Sequence, residues 1–272
     1  MAQWKRVDWF LFLVLVGILV APFRPAHRAV RTVGRWLPLV AAEEVLSSEN
    51  FKLLYSGELE EGRAVLELLE AGLADLQAWL PDFTPKPIVV RLHPTQAALQ
   101  QALGGSYAPT LGAYYLGKLE LLAPQAWQPH LNLDEAIAFY AQQGPVVHEL
   151  THLLLDYQVA VSYPVWFSEG MAQYWEERLR GYVWQEGGLA WREAPHSLDQ
   201  LTDHFSSLPE AIAYQEALSL VSFLYERMGD GGVNQLLTAL GRGQTFTVAL
   251  QAAYGQPLTT FEQDWKAWLM DN

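Results

Sequence analysis

Residues 146–155 read VVHELTHLLL, and no other stretch of the chain leaves fewer ways to fold. Two histidines, a glutamate and a threonine interrupt an otherwise apolar run. His148 and His152 are four residues apart, which on a helix puts both imidazoles on one face, about one turn apart. Two imidazoles so placed can hold one metal ion. Val146, Val147, Leu150, Leu153 and Leu154 supply an apolar surround that excludes water and strengthens the electrostatics of such a site. Gly144-Pro145 come just before, and proline is favoured in the first turn of a helix. The competing reading is a helix that happens to carry two unrelated histidines. A third ligand decides between them.

The chain has 272 residues and no cysteine, so that ligand is a histidine or a carboxylate. The metzincin arrangement needs Gly and His three and six residues past the second histidine. Leu155 and Gln158 stand there and exclude it. A ligand set of two histidines and one glutamate takes its glutamate from the next helix. Glu169 lies seventeen residues past His152, within PVWFSEGMA (164–172), where Pro164 and Ser168 suggest a loop entering a helix. A helix, a short turn and a returning helix fit that spacing. The candidate ligands of one zinc ion per chain are therefore His148, His152 and Glu169. Glu149 sits beside them, where it can polarise a water at the metal rather than ligate.

HELTH followed by PVWFSEGMAQY resembles the gluzincin metallopeptidases, the group that includes thermolysin and aminopeptidase N, and above all their small relatives called peptidase MA-like proteins. The resemblance runs from about Phe51 to the C-terminus, and only the two helical motifs are sharp. It implies a zincin-like fold, zinc on His148, His152 and Glu169, and Glu149 as general base and then proton donor in peptide-bond hydrolysis. In aminopeptidase N relatives a tyrosine opening a later helix, in a pattern like Tyr-x-Lys-Gly-Ala, stabilises the oxyanion. Tyr214-Gln215-Glu216-Ala217 is similar, with Glu216-Ala217 in place of Lys-Gly. This makes Tyr214 a second catalytic candidate, against the simpler reading of a tyrosine packed in a helix. Those relatives also carry a Gly-x-Met-Glu-Asn strand whose acid holds a free amine. Gly112-Ala113-Tyr114-Tyr115 lacks the acid, so an endopeptidase acting on a peptide or protein is expected. Asp156 is open between partnering His152 and capping the helix end. His93, His130, His196 and His204 read as surface histidines. Specificity is expected around Tyr114, Tyr115 and residues 182–208.

Apolar spacing sorts the rest. FKLLY (51–55) and IVVRL (88–92) read as strands, 112–122 as a strand or hairpin, 60–80 and 95–103 as helices. From Asp134 the pattern turns helical: 134–142, 145–157, 165–180, 209–228, 232–241, 245–254 and 258–270. A short hairpin is expected at Tyr182–Trp191, where Tyr182, Trp184 and Trp191 either pack the hairpin, the favoured reading, or line a cleft. The fold class is α+β: a small N-terminal mixed sheet with helices, then a mostly helical half carrying the HExxH helix.

Trp9–Phe23 is uncharged and strongly apolar, preceded by Lys5 and Arg6. It reads as a membrane anchor or secretory signal, followed by a basic linker that becomes helical near Leu37–Leu46. The expected organisation is residues 1–36 as anchor and linker, and 37–272 as a metallopeptidase domain outside the cytoplasm, secreted if the segment is cleaved. Net charge is −13, yet residues 1–36 hold six basic residues against Asp8 alone, so the acidic excess lies in the body. Such a body is a poor nucleic-acid binder. The rival function is a membrane-tethered zinc-binding or inactive interaction domain.

Overall fold

The computed structural model describes residues 44–80, 87–105, 110–115, 117–159, 161–183 and 188–271. The apolar run Trp9–Phe23 and the linker after it lie outside the described residues, and no described helix is long and apolar enough to cross a membrane.

Five strands form one mixed sheet: β1 (Glu44–Ser47), β2 (Phe51–Tyr55), β3 (Ile88–His93), β4 (Gly112–Tyr115) and β5 (Lys118–Leu122). Their order is β1-β2-β3-β5-β4. β2, β3 and β5 are parallel, while the edge strands β1 and β4 pair antiparallel to their neighbours. Alternation sets the faces. Phe51, Leu53 and Tyr55 lie beside Ile88, Val90 and Leu92, and the last two beside Leu119 and Leu121; all are buried in the main core. Leu99, Leu103 and Leu122 form a second, smaller core on the opposite face.

The helices are α1 (Leu59–Gln77), α2 (Gln96–Ala102), α3 (Pro124–Trp127), α4 (Leu133–Gln143), α5 (Val146–Gln158), α6 (Val165–Arg180), α7 (Leu198–His204), α8 (Glu210–Gly241), α9 (Phe246–Tyr254) and α10 (Leu258–Asp271). Asn132 and Glu135 form a reciprocal capping box that starts α4. α8 is interrupted at Gly229 (φ 64°, ψ 176°), between the two helices expected there. α5 packs between α1 and α6 and against β4, and α6 lies on α8. The crossing of α6 and α8 is very close. A Cβ added at Gly170 would lie 2.2 Å from the carbonyl oxygen of Ala217, so only glycine lets the backbones meet.

The α+β expectation holds: strands in the first half, helices in the second. Two local expectations fail. Glu44–Ser47 is a strand, not the end of a helix, because its backbone pairs with β2. Residues 190–193 form a 3-10 turn, not the arm of a hairpin. Trp191 is buried there, its indole donating to Gln215 on α8 (2.8 Å), a long-range demand that local alternation does not reveal. Trp184 lies outside the described residues.

Candidate metal centre

α5 begins at Val146 with Pro145 as its N-cap, and Val147, Leu150, Leu153 and Leu154 bury its apolar faces. His148 and His152 leave the helix together, ring centroids 4.8 Å apart and planes at 76°. α6 faces them. Glu169 Oε2 lies 3.3 Å from His148 Nε2 and 3.7 Å from His152 Nε2. The ligating atoms of the three residues all fall within 4.8 Å of one another, a group able to hold a metal ion. Spacing along the chain thus brings together the residues it singled out.

The other ring nitrogens have partners that sequence reasoning missed. His148 Nδ1 is 2.9 Å from Glu176 Oε2, and His152 Nδ1 is 2.8 Å from Ser168 Oγ. Both partners are on α6, as is Glu169. Each bond fixes its ring so that Nε2 is turned toward Glu169, which is how an outer partner orients a metal-binding histidine. A signal existed: Glu176 stands seven residues past Glu169, two turns on along one face. His152 Nδ1 is held by Ser168 rather than by Asp156. Asp156 accepts a hydrogen bond from the Tyr114 hydroxyl.

Burial governs the charges. Glu149 is only 6% exposed. Burial raises its pKa to about 7, assisted by the charges of Glu169 and Glu176 and opposed by His148 and the Tyr114 N–H. That N–H donates to Glu149 Oε2 at 2.6 Å, so the carboxylate hangs between α5 and the edge strand β4. Burial pushes His152 down to about 4. Burial acts on His148 in the same sense but is outweighed by Glu176 and Glu169, which hold it well above its usual value. For Glu169 burial is outweighed by the two histidines and by a hydrogen bond from Tyr214, and its pKa is lowered. Tyr214 therefore does reach the centre. Burial and the Glu169 charge raise its phenol pKa.

These groups line a cleft of about 730 Å³ with Gly112, Tyr114 and Tyr182 on its walls. Tyr115 points the other way, against the small core of Leu99 and Leu122. Two of the four histidines expected at the surface are structural. His93 is buried and bonded to Glu120 (2.6 Å), and His196 is bonded to Glu216 (2.8 Å); His130 and His204 are exposed.

A comparison with curated proteins found no match. Among solved structures, the chain is similar to a two-domain M1 zinc metallopeptidase variant bound to L-arginine, at 17% identity and a TM-score of 0.44, over 84% of this chain and 51% of that one. It is also similar to an M1 zinc metallopeptidase variant from Deinococcus radiodurans, at 16% identity and a TM-score of 0.42, with the same coverage. The chain spans about half the length of each. The Peptidase MA superfamily model matches residues 133–271, just over half of the chain, from the start of α4 through the histidine helix to the end of α10. The chain belongs to the Peptidase MA superfamily.

Proposed function

We propose that the protein is a zinc-dependent endopeptidase in which His148, His152 and Glu169 hold the metal, Glu149 moves the proton and Tyr214 steadies the oxyanion. The observation that carries this reading is Glu149: a buried carboxylate on the histidine helix, next to the ligand group and tied to the edge strand of the cleft. Two imidazoles and one carboxylate suit zinc with a coordination position left for substrate. Zinc bound there supplies a Lewis acid that polarises a carbonyl and acidifies water.

This chain's own residues do the rest. The outer edge of β4 can pair with an extended peptide through those main-chain groups not already taken, as the Tyr114 N–H is by Glu149. Glu149 accepts a proton from the attacking water as its oxygen joins the scissile carbonyl carbon, then delivers that proton to the leaving nitrogen as the C–N bond breaks. A pKa raised by burial suits both transfers, and a bound cation lowers it again toward the ionised, accepting form. The Tyr214 hydroxyl donates to the developing oxyanion. β4 lacks the acid that would hold a free amine, which favours internal bonds over N-terminal ones. With this goes a tether formed by Trp9–Phe23 that holds the domain outside the cytoplasm; protection of the domain from protease added to intact cells would count against it.

The test is zinc content by elemental analysis together with turnover of a fluorogenic peptide library. Glu149→Gln is expected to keep about one zinc per chain and to lose on the order of 10²–10⁴ in kcat. Glu169→Ala is expected to lose both metal and turnover. Zinc retained with no cleavage of any peptide by the unaltered protein would instead support a tethered binding domain.

A further inference from the structure

We propose that Gln173 is a positioning residue that sets Tyr214 against the metal site, an inference that rests on the role proposed above for Tyr214. Gln173 lies one turn past Glu169 on α6, is 5% exposed and borders the cleft. Its Nε2 donates to the carbonyl of Tyr214 on α8 at 2.9 Å, and reaches the carbonyl of Glu169 at 3.4 Å. The direction of the amide is fixed by these neighbours, since turning it over would set Oε1 against two carbonyl oxygens. One side chain thus joins the main chain of a metal ligand to the main chain of the tyrosine.

Two features explain why such a strut is needed. α8 starts at Glu210, and its N-cap, Pro209, contributes no side-chain hydrogen bond, so the turn that carries Tyr214 begins without a cap. The first N–H groups of a helix have no partner within it, and here Pro209 offers only its carbonyl, which Ile212 and Ala213 share. The close crossing at Gly170 and Ala217 brings α6 near enough for Gln173 to hold that turn from outside. The second feature is what the arrangement leaves undone. Gln173 Oε1 is buried without a hydrogen-bond partner among the described residues. A half-satisfied buried amide costs stability that an apolar side chain of the same length would not. Packing alone would favour the apolar residue. Alignment of Tyr214 requires the donor.

The experiment uses the full chain, zinc-loaded, as Gln173→Met, Tyr214→Phe and the double variant, with Gln173→Asn as a polar control too short to reach Tyr214. Gln173→Met and Gln173→Asn are both expected to lower kcat about tenfold with KM within about twofold, as a displaced catalytic group does. Zinc content should stay near that of the unaltered protein, and the unfolding midpoint of Gln173→Met should be no lower. The double variant should be no slower than Tyr214→Phe alone, because Gln173 acts through Tyr214. Independently of turnover, 3-fluorotyrosine at position 214 should show a fluorine resonance that moves on Gln173→Met, while the same label at position 114 does not. A double variant slowed by the product of the two single effects, or an unmoved resonance at 214, overturns the proposal. If Tyr214→Phe costs nothing, the oxyanion role falls instead, and the resonance alone decides whether Gln173 positions the ring.

Discussion

Glu176 and Ser168 touch no substrate in the scheme above, yet each holds one histidine by its Nδ1. A charged acceptor on His148 both orients the ring and raises its basicity as a ligand, whereas a hydroxyl on His152 mainly orients. Glu176→Ala is therefore expected to weaken zinc binding by about 10–100-fold, and Ser168→Ala by less. Competition with a chelator of known affinity measures both, and equal losses would contradict the ordering. The meeting of His148, His152 and Glu169 was legible from HExxH and one downstream glutamate, because helix periodicity turns spacing into direction. Their partners were not. Glu176 in a run of Glu-Glu-Arg looks like solvated helix surface until α6 is laid on α5.

At the scale of elements, legibility followed range. The helices expected from Asp134 onward appear within a residue or two of their limits, whereas α7, at Leu198–His204, was not expected. What local pattern could not supply were contacts between distant segments: Tyr114 N–H with Glu149, thirty-five residues apart, and Trp191 with Gln215. Glycines mark two of these meetings. At Gly112 an added Cβ would lie 3.1 Å from Glu149 Cγ and 3.0 Å from Leu121, so β4 lies tight against α5. At Gly170 the obstacle is backbone, which cannot move aside. Gly170→Ala must push α6 from α8 and is expected to cost about 3 kcal/mol of stability. It should also lower turnover beyond any loss of folded protein, since Glu169 and Tyr214 meet across that crossing. Denaturant unfolding and kcat on the folded fraction test the two effects separately.

At the scale of the molecule, buried charge among the described residues is not confined to the cleft, and its members respond to acid differently. Glu120, on β5, is fully buried with His93 at 2.6 Å and Lys118 at 2.7 Å. Burial would raise its pKa, but His93 and Lys118 outweigh burial and hold it below the ordinary value of 4.5. A carboxylate whose pKa is lower in the folded state stabilises that state above its unfolded value, and loses the effect as pH falls through the folded one. Glu61 and Glu216 are raised by burial and contribute in the opposite sense. The comparison that isolates Glu120 is the unaltered protein against Glu120→Gln. The stability difference between them should be steady above about pH 5 and shrink as pH falls further. A difference that stayed constant down to about pH 3 would show that Glu120 is not held by these partners.

The proposed third ligand, Glu169, and the partners of both histidines all sit on α6, within three turns of one helix. For the history of such a domain this concentration matters. A lineage that tilts or reshapes α6 loses the ligand and both ring supports in a single step, so metal competence is expected to vanish abruptly among descendants rather than decline by degrees. The strands and the remaining helices would survive as a scaffold free to be reused.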